Sequence, residues 1–266
     1  MPPFELFLFS TSPDVIARHV AAGVDGIVVD WECAGKKERQ AGADTEINRD
    51  TVEDLRRARA ATRARLLCRI NGYGGTSERE VEDAISAGAD EILLPMVRRV
   101  EEVESVLEMA AGRCGVGILV ETCEAVECAR DLARLPLTRV YLGLNDLAIA
   151  RGSPSIFSAL RDGLVEQVRS SFFAPFGFGG LTCPDGGSPI PCRLLIAEMA
   201  RLRCDFSLLR RSYRRDMAGR EASVELPRLH RAIQDSFDRN PDALHQDHAE
   251  LTSAIEALLP APDPCR

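Results

Sequence analysis

The chain repeats one local pattern. A helical stretch ends in small residues, passes a short turn and enters an apolar, strand-like run, at 17–30 (ARHVAAGVDGIVVD), 81–95 (VEDAISAGADEILLP), 131–144 (DLARLPLTRVYLGL) and 197–209 (AEMARLRCDFSLL). Helix followed by strand, recurring four times, is the grammar of a parallel sheet built from β/α units. The strand runs are β-branched or Leu-rich without polar alternation, as in strands covered on both faces.

Filling the intervals gives eight strands, at 5–9, 26–30, 66–70, 91–94, 116–120, 139–144, 176–181 and 206–209. Helical segments fall between them at 13–22, 51–61, 77–87, 100–111, 125–134, 163–172 and 191–202. Eight β/α units in 266 residues predict a (β/α)8 TIM barrel. A doubly wound open sheet is the alternative, but no GxGxxG follows the first strand, so a dinucleotide site loses its main support. Two further helices are expected at 226–237 and 241–259, the second amphipathic through Leu244, Leu251, Ile255 and Leu258. The organisation is therefore a barrel domain over 1–237 and a C-terminal helix and tail over 238–266. The apolar face of that extra helix is expected to pack on a neighbouring subunit.

Charge narrows the partners. With 33 Lys+Arg against 41 Asp+Glu, the net charge of -8 lacks the basic footprint of a nucleic-acid or anionic-membrane binder. No apolar run approaches the ~20 residues that span a bilayer. The first basic residue is Arg18, so the charged front of a secretory signal is missing. Nine cysteines without a CxxC pair fit reduced thiols and a cytoplasmic location.

In a TIM barrel the chemistry sits at the C-terminal ends of the strands. Those ends carry Asp30 and Glu32 after strand two, Arg69 and Asn71 after strand three, and Glu121 and Thr122 after strand five. Asn145 and Asp146 follow strand six, and Arg210 and Arg211 follow strand eight. Four carboxylates around one mouth repel one another, so positive charge belongs among them. An arginine and a hard divalent cation such as Mg²⁺, held by two carboxylates, waters and substrate oxygens, would supply it. The histidines, at 19, 230, 245 and 248, fall on outer helices away from the mouth.

The stretches VDWE (29–32), CRIN (68–71), AGADEILLPMV (87–97), ILVET (118–122) and YLGLNDLA (141–148) resemble, in order and spacing, the HpcH/HpaI aldolase and citrate lyase β-subunit family. The likeness runs over roughly residues 10–215. It implies a metal-dependent barrel that makes or breaks carbon–carbon bonds next to a 2-oxo acid or thioester. Glu121 and Asp146 match the family's ligands for Mg²⁺ or Mn²⁺. Arg69 matches the arginine that grips the substrate carboxylate or keto oxygen, with Asp30 and Glu32 as further catalytic candidates. Asn71, Asn145, Arg210 and Arg211 are candidates for substrate binding. Such a site suits the enolate of pyruvate or oxaloacetate, whose developing charge a cation and an arginine would meet. The resemblance also implies a homo-oligomer, a trimer or hexamer.

Cys33 departs from the pattern, standing where family members carry histidine or aspartate. The proton-transfer group is therefore left open between a water positioned by Asp30 or Glu32 and the side chains of Lys36 or Lys37. The run RRSYRR (210–215) suggests that Arg210 or Arg211 takes a second anionic group, a phosphate or a distal carboxylate. Two other readings stand beside the aldolase: citrate lyase-like cleavage or formation of a 3-hydroxyacyl-CoA, and a barrel that binds a metabolite without turning it over.

Overall fold

The computed structural model describes residues 4–34 and 50–259, which leaves Lys36, Lys37 and the tail from 260 outside the described residues. Its strands are β1 (Glu5–Phe9), β2 (Gly26–Asp30), β3 (Arg65–Arg69), β4 (Glu91–Leu94), β5 (Gly115–Val120), β6 (Arg139–Leu142), β7 (Phe176–Phe178) and β8 (Phe206–Leu209). They form one parallel sheet in the order β7-β6-β5-β4-β3-β2-β1-β8. A parallel bridge between Gly180 and Leu208 and a 3.1 Å bond from the Leu181 N–H to the Leu208 carbonyl join the two ends. The result is the expected (β/α)8 barrel.

The repeat turns out to be a device for starting strands. In all four copies the residue before the strand donates its N–H to a carbonyl next door: Asp25 to Leu6, Asp90 to Leu66, Thr138 to Val116 and Asp205 to Phe176. In three of them the aspartate side chain also accepts an N–H from the neighbouring strand, that of Leu6 (2.8 Å), Leu66 (2.8 Å) or Phe176 (2.9 Å). Two residues earlier, Gly23, Gly88 and Arg203 take positive φ (111°, 94° and 50°). That left-handed step ends a helix cleanly, and glycine adopts it without a steric penalty.

The helices outside the barrel are α1 (Pro13–Ala21), α2 (Val52–Ala61), α3 (Ser77–Ser86), α4 (Val100–Ala110), α5 (Cys123–Glu127), α6 (Ala129–Leu132), α7 (Leu144–Ala150), α8 (Ser158–Arg161), α9 (Leu164–Ser171), α10 (Cys192–Arg201), α11 (Arg211–Asp216), α12 (Ala222–Phe237) and α13 (Pro241–Glu256). Two boundaries differ from the sequence expectation in ways that matter. The segment expected as one helix over 125–134 is broken at Cys128 into α5 and α6. The strand expected to run to 144 stops at Leu142, and Gly143 caps α7, so Asn145 and Asp146 lie in the first turn of a helix. No helix among the described residues is long and apolar enough to cross a membrane.

Strand pleating sorts side chains by parity. Leu6, Leu8, Ile27, Val29, Leu66, Ile92, Ile118 and Val120 face the helices in the larger core. Phe7, Val28, Leu67, Leu93, Leu119, Phe206 and Leu208, with Tyr141 against them, fill the barrel interior. Below that apolar layer lies a charged floor. Arg139, 2% exposed at its side chain, bonds Glu91 at 2.6 Å, reaches Glu5 at 3.4 Å, and rests on the rings of Phe7 and Phe206. The floor is closed, so the chemistry belongs at the other end.

Part of the apolar face of α13 is covered from within the same chain. Leu251 and Ile255 are buried, and the helix packs on α10. His248 Nδ1 lies 2.9 Å from the buried Glu198 carboxylate, and Glu250 pairs with Arg193. Leu258 alone of the expected stripe stays exposed (39%).

Candidate active site

The interior parity continues past the strand ends. Following Phe7 in β1 comes Phe9; following Val28, Asp30 and then Glu32; following Leu67, Arg69; following Leu119, Glu121; and following Leu208, Arg210. One periodic rule thus delivers an aromatic ring, three carboxylates and two arginines to a single mouth. Asp30 and Arg69 are register partners on β2 and β3, so their side chains emerge together.

Arg69 is the hub. Its Nε donates to Asp30 Oδ1 at 2.7 Å and one terminal nitrogen to Asp30 Oδ2 at 2.6 Å, a bidentate fork. The other terminal nitrogen lies 3.2 Å from Glu32 Oε2. All three side chains are buried. Burial works against the charge on Arg69, but Asp30 and Glu32 outweigh it and hold its pKa above the ordinary value. Two of the guanidinium's five N–H groups take no part in these contacts. The Asp30 backbone N–H donates to Asp50 (2.9 Å), and the Trp31 indole N–H to the Thr51 carbonyl (3.1 Å).

Glu121 is 2% exposed and accepts the Met96 backbone N–H at 2.9 Å. Burial, then the charges of Glu32 and Asp146, push its carboxyl up to about 8, against Arg69 and the Met96 bond. Like charges gathered in a dry place disfavour ionisation, and a cation among them would offset that cost. The donors are hard carboxylate oxygens, which suit Mg²⁺ or Mn²⁺, and Glu121 with Asp146 would hold it. Among the described residues no cluster of three or more His, Cys, Asp or Glu has metal-binding geometry. A two-carboxylate site leaves its other positions to waters and substrate, as Mg²⁺ sites commonly do. Thr122 works elsewhere: its hydroxyl donates to the Val97 carbonyl (2.5 Å) and caps α5 by accepting the Ala125 N–H (3.0 Å).

Gly143 lets β6 pass this carboxylate. A Cβ there would lie 2.9 Å from Glu121 Cβ and would strike Glu121 Oε2 more closely still. Gly143→Ala should therefore destabilise the fold by about 1–3 kcal/mol, the range of overpacked cores, and weaken binding of divalent metal. Denaturant unfolding and metal titration check both halves of this expectation.

Asn71 is tied to the protein through its side-chain amide. Its amide donates to Glu80 (3.0 Å), while its oxygen accepts the backbone N–H groups of Cys33 and Ala34 (2.9 Å each). It braces the loop after β2. Cys33 itself is exposed. Asn145 and Asp146 are half-buried on α7. Arg210 reaches the mouth, whereas Arg211 is the first residue of α11. His230 bonds the Gly23 carbonyl and His245 that of Pro241 on outer helices, away from the carboxylates. Three participants were not singled out from sequence: Phe9, Tyr141, whose hydroxyl donates to the Gly179 carbonyl at 2.7 Å, and the Met96 N–H. Parity alone would have placed Phe9 and Tyr141; Met96 owes its role to a positive φ of 55°. Beside the mouth, a cavity of about 950 Å³ opens between the loop after β1 and helices α11 and α12, lined in part by Arg18, His19 and Tyr213.

The family model described as HpcH/HpaI aldolase/citrate lyase matches residues 4–156, from β1 to the loop after α7. The chain belongs to the HpcH/HpaI aldolase/citrate lyase family. That family is made up of aldolases and lyases, which supports an enzyme. No curated protein matches the sequence. Among solved structures, the fold is similar to citrate synthase SbnG, at 20% identity over 82% of this chain and 89% of that one, with a TM-score of 0.57. It is also similar to an HpcH/HpaI aldolase/citrate lyase family protein from Burkholderia cenocepacia J2315 (14% identity, 88% and 94% covered, TM-score 0.60). An HpcH/HpaI aldolase from Desulfitobacterium hafniense DCB-2 is comparable (15%, 98% and 96%, TM-score 0.56). At these identities the likeness speaks for the fold.

Proposed function

We propose that this HpcH/HpaI family member is a divalent-metal-dependent carbon–carbon lyase acting through the enolate of a 2-oxo acid such as pyruvate or oxaloacetate. The observation that carries the reading is the Glu121 carboxylate, buried against Glu32 and Asp146 and pushed up to about 8. A bound Mg²⁺ or Mn²⁺ supplies Lewis acidity where enolate charge develops.

The chain's own residues do the rest. Arg69, oriented by Asp30, offers its remaining N–H groups to the substrate's carboxylate or keto oxygen, and the fork geometry fixes the plane of the 2-oxo acid. In cleavage, a base takes the proton of the C4 hydroxyl, the C3–C4 bond breaks, and its electron pair passes into the enolate while the carbonyl product leaves. Proton return to C3 gives the 2-oxo acid. Glu32 has the looser of the two carboxylate contacts to Arg69 and lies toward Glu121, so it is the carboxylate that positions a water for these transfers. The Cys33 backbone N–H donates to Asn71.

Incubation with Mg²⁺ or Mn²⁺ should release pyruvate from 4-hydroxy-2-oxo acids. Release only from malyl or citramalyl thioesters would move the assignment to the citrate lyase-like reaction. Binding of 2-oxo acids without turnover of either class would leave a metabolite-binding barrel.

A further inference from the structure

Arg210 is energetically awkward as it stands. It follows β8 on the inward parity, outside the segment matched by the family model. Its guanidinium lies 4.4 Å from the centroid of the Phe9 ring, and Arg69 lies 5.4 Å from the same ring. Its closest carboxylate oxygen, Asp30 Oδ2 at 3.7 Å, already accepts a 2.6 Å bond from Arg69. The Arg210 Nε–H is buried and has no hydrogen-bond partner among the described residues. Burial and the Arg69 charge both disfavour its protonated form. A buried donor left unmade and a cation set beside another cation are costly, and such a group in a native structure calls for a partner.

From this geometry we infer that Arg210 is a specificity-determining residue, which binds a second carboxylate on the substrate and selects acids with two anionic ends over those with one. The inference rests on the reading of the mouth as a 2-oxo acid site. A carboxylate fits better than a phosphate. One planar fork matches one carboxylate, and a phosphate dianion would meet the acids at 30, 32, 121 and 146 with few donors to offset them. Side-chain exposure of 26% leaves the guanidinium within reach of a ligand entering the mouth. Arg69, committed to Asp30 and Glu32, serves the 2-oxo end; Arg210, whose only carboxylate contact among the described residues is the long one it shares with Arg69, serves the other.

The test compares two five-carbon ligands that differ only at the far end, 2-oxoglutarate and 2-oxopentanoate, by calorimetry on the full chain with Mg²⁺. The wild-type protein should prefer the diacid by about 10-fold or more, the scale of one charge-assisted hydrogen bond. Arg210→Gln should erase that preference while both ligands still bind, and Arg210→Lys should retain part of it. Equal binding of the two by the wild type, or equal weakening of both in Arg210→Gln, overturns the inference. So does inorganic phosphate binding more tightly than 2-oxoglutarate in an Arg210-dependent way. If Arg210→Gln fails to fold, the wild-type preference and its change in Arg210→Lys decide. A diacid preference in a protein that exchanges no proton from pyruvate would sink the lyase reading and leave this one standing.

Discussion

Arg69→Met is expected to destabilise the protein by about 3–5 kcal/mol, the loss typical when one partner of a buried ion pair is removed. The substitution keeps much of the volume, so the effect is electrostatic. It takes away from Asp30 and Glu32, both almost fully buried, the guanidinium that pairs with them. Catalysis should fall at least ~100-fold even where enough folded protein is recovered to assay, because the same group orients the substrate. Urea unfolding of Arg69→Met beside the double variant Arg69→Met/Asp30→Asn separates the two roles. The second change should recover stability and leave activity lost. Equal stability of Arg69→Met and wild type would show that the network carries no structural load.

The second large effect concerns Glu121→Gln, and its size depends on metal. Without metal, the folded protein holds a proton on Glu121 up to about 8, whereas an unfolded glutamate releases it near 4.5. Between those values the native state binds more protons than the unfolded one, so stability falls as pH rises, with a slope approaching about 1.4 kcal/mol per unit. Below the lower value there is no penalty, and above about 8 it is complete. The glutamine variant cannot ionise and should be the more stable apo-protein at pH 8.5, with a flatter profile. Divalent metal offsets part of that penalty. It needs the ionised carboxylate, so it should stabilise the wild type by about 2.7 kcal/mol at a hundredfold excess over Kd. The variant should gain little, and wild-type affinity should weaken as pH drops below about 8. Thermal unfolding at pH 6 and 8.5, with and without Mg²⁺, reads every arm. A wild type whose apo-stability rises with pH would contradict the burial of like charges at Glu121.

Most of the barrel is legible in the residues, because its strands are buried on both faces and its strand starts recur as one bracket. Gly23, Gly88, Asp25, Asp90 and Asp205 carry that bracket. The mouth is legible for the same reason: side chains at strand ends keep the inward parity, so Asp30, Arg69, Glu121 and Arg210 could be placed before any contact was known. Parity also separates Arg210 from Arg211, which the charge run alone does not. What sequence order hides is partnership across loops. Glu80 and the backbone of Cys33 and Ala34 claim the Asn71 amide. The partner that α13 finds within its own chain, α10 against Leu251 and Ile255, is likewise invisible in the sequence order. Short helices such as α7 and α11 escape because a single turn or two carries too little periodicity, and α7 is what moves Asp146 from a strand end to a helix start.

The central claim is that Glu121, Asp146 and Arg69 make an enolate-forming centre, and proton exchange reports it without knowledge of the second substrate. Pyruvate in deuterated water, followed by NMR at its methyl group, should exchange in the presence of the wild-type protein with Mg²⁺ or Mn²⁺. Exchange should cease with chelator and drop at least ~100-fold in Glu121→Gln and in Asp146→Ala. Exchange that persists without metal, or at wild-type rate in Glu121→Gln, would contradict the account.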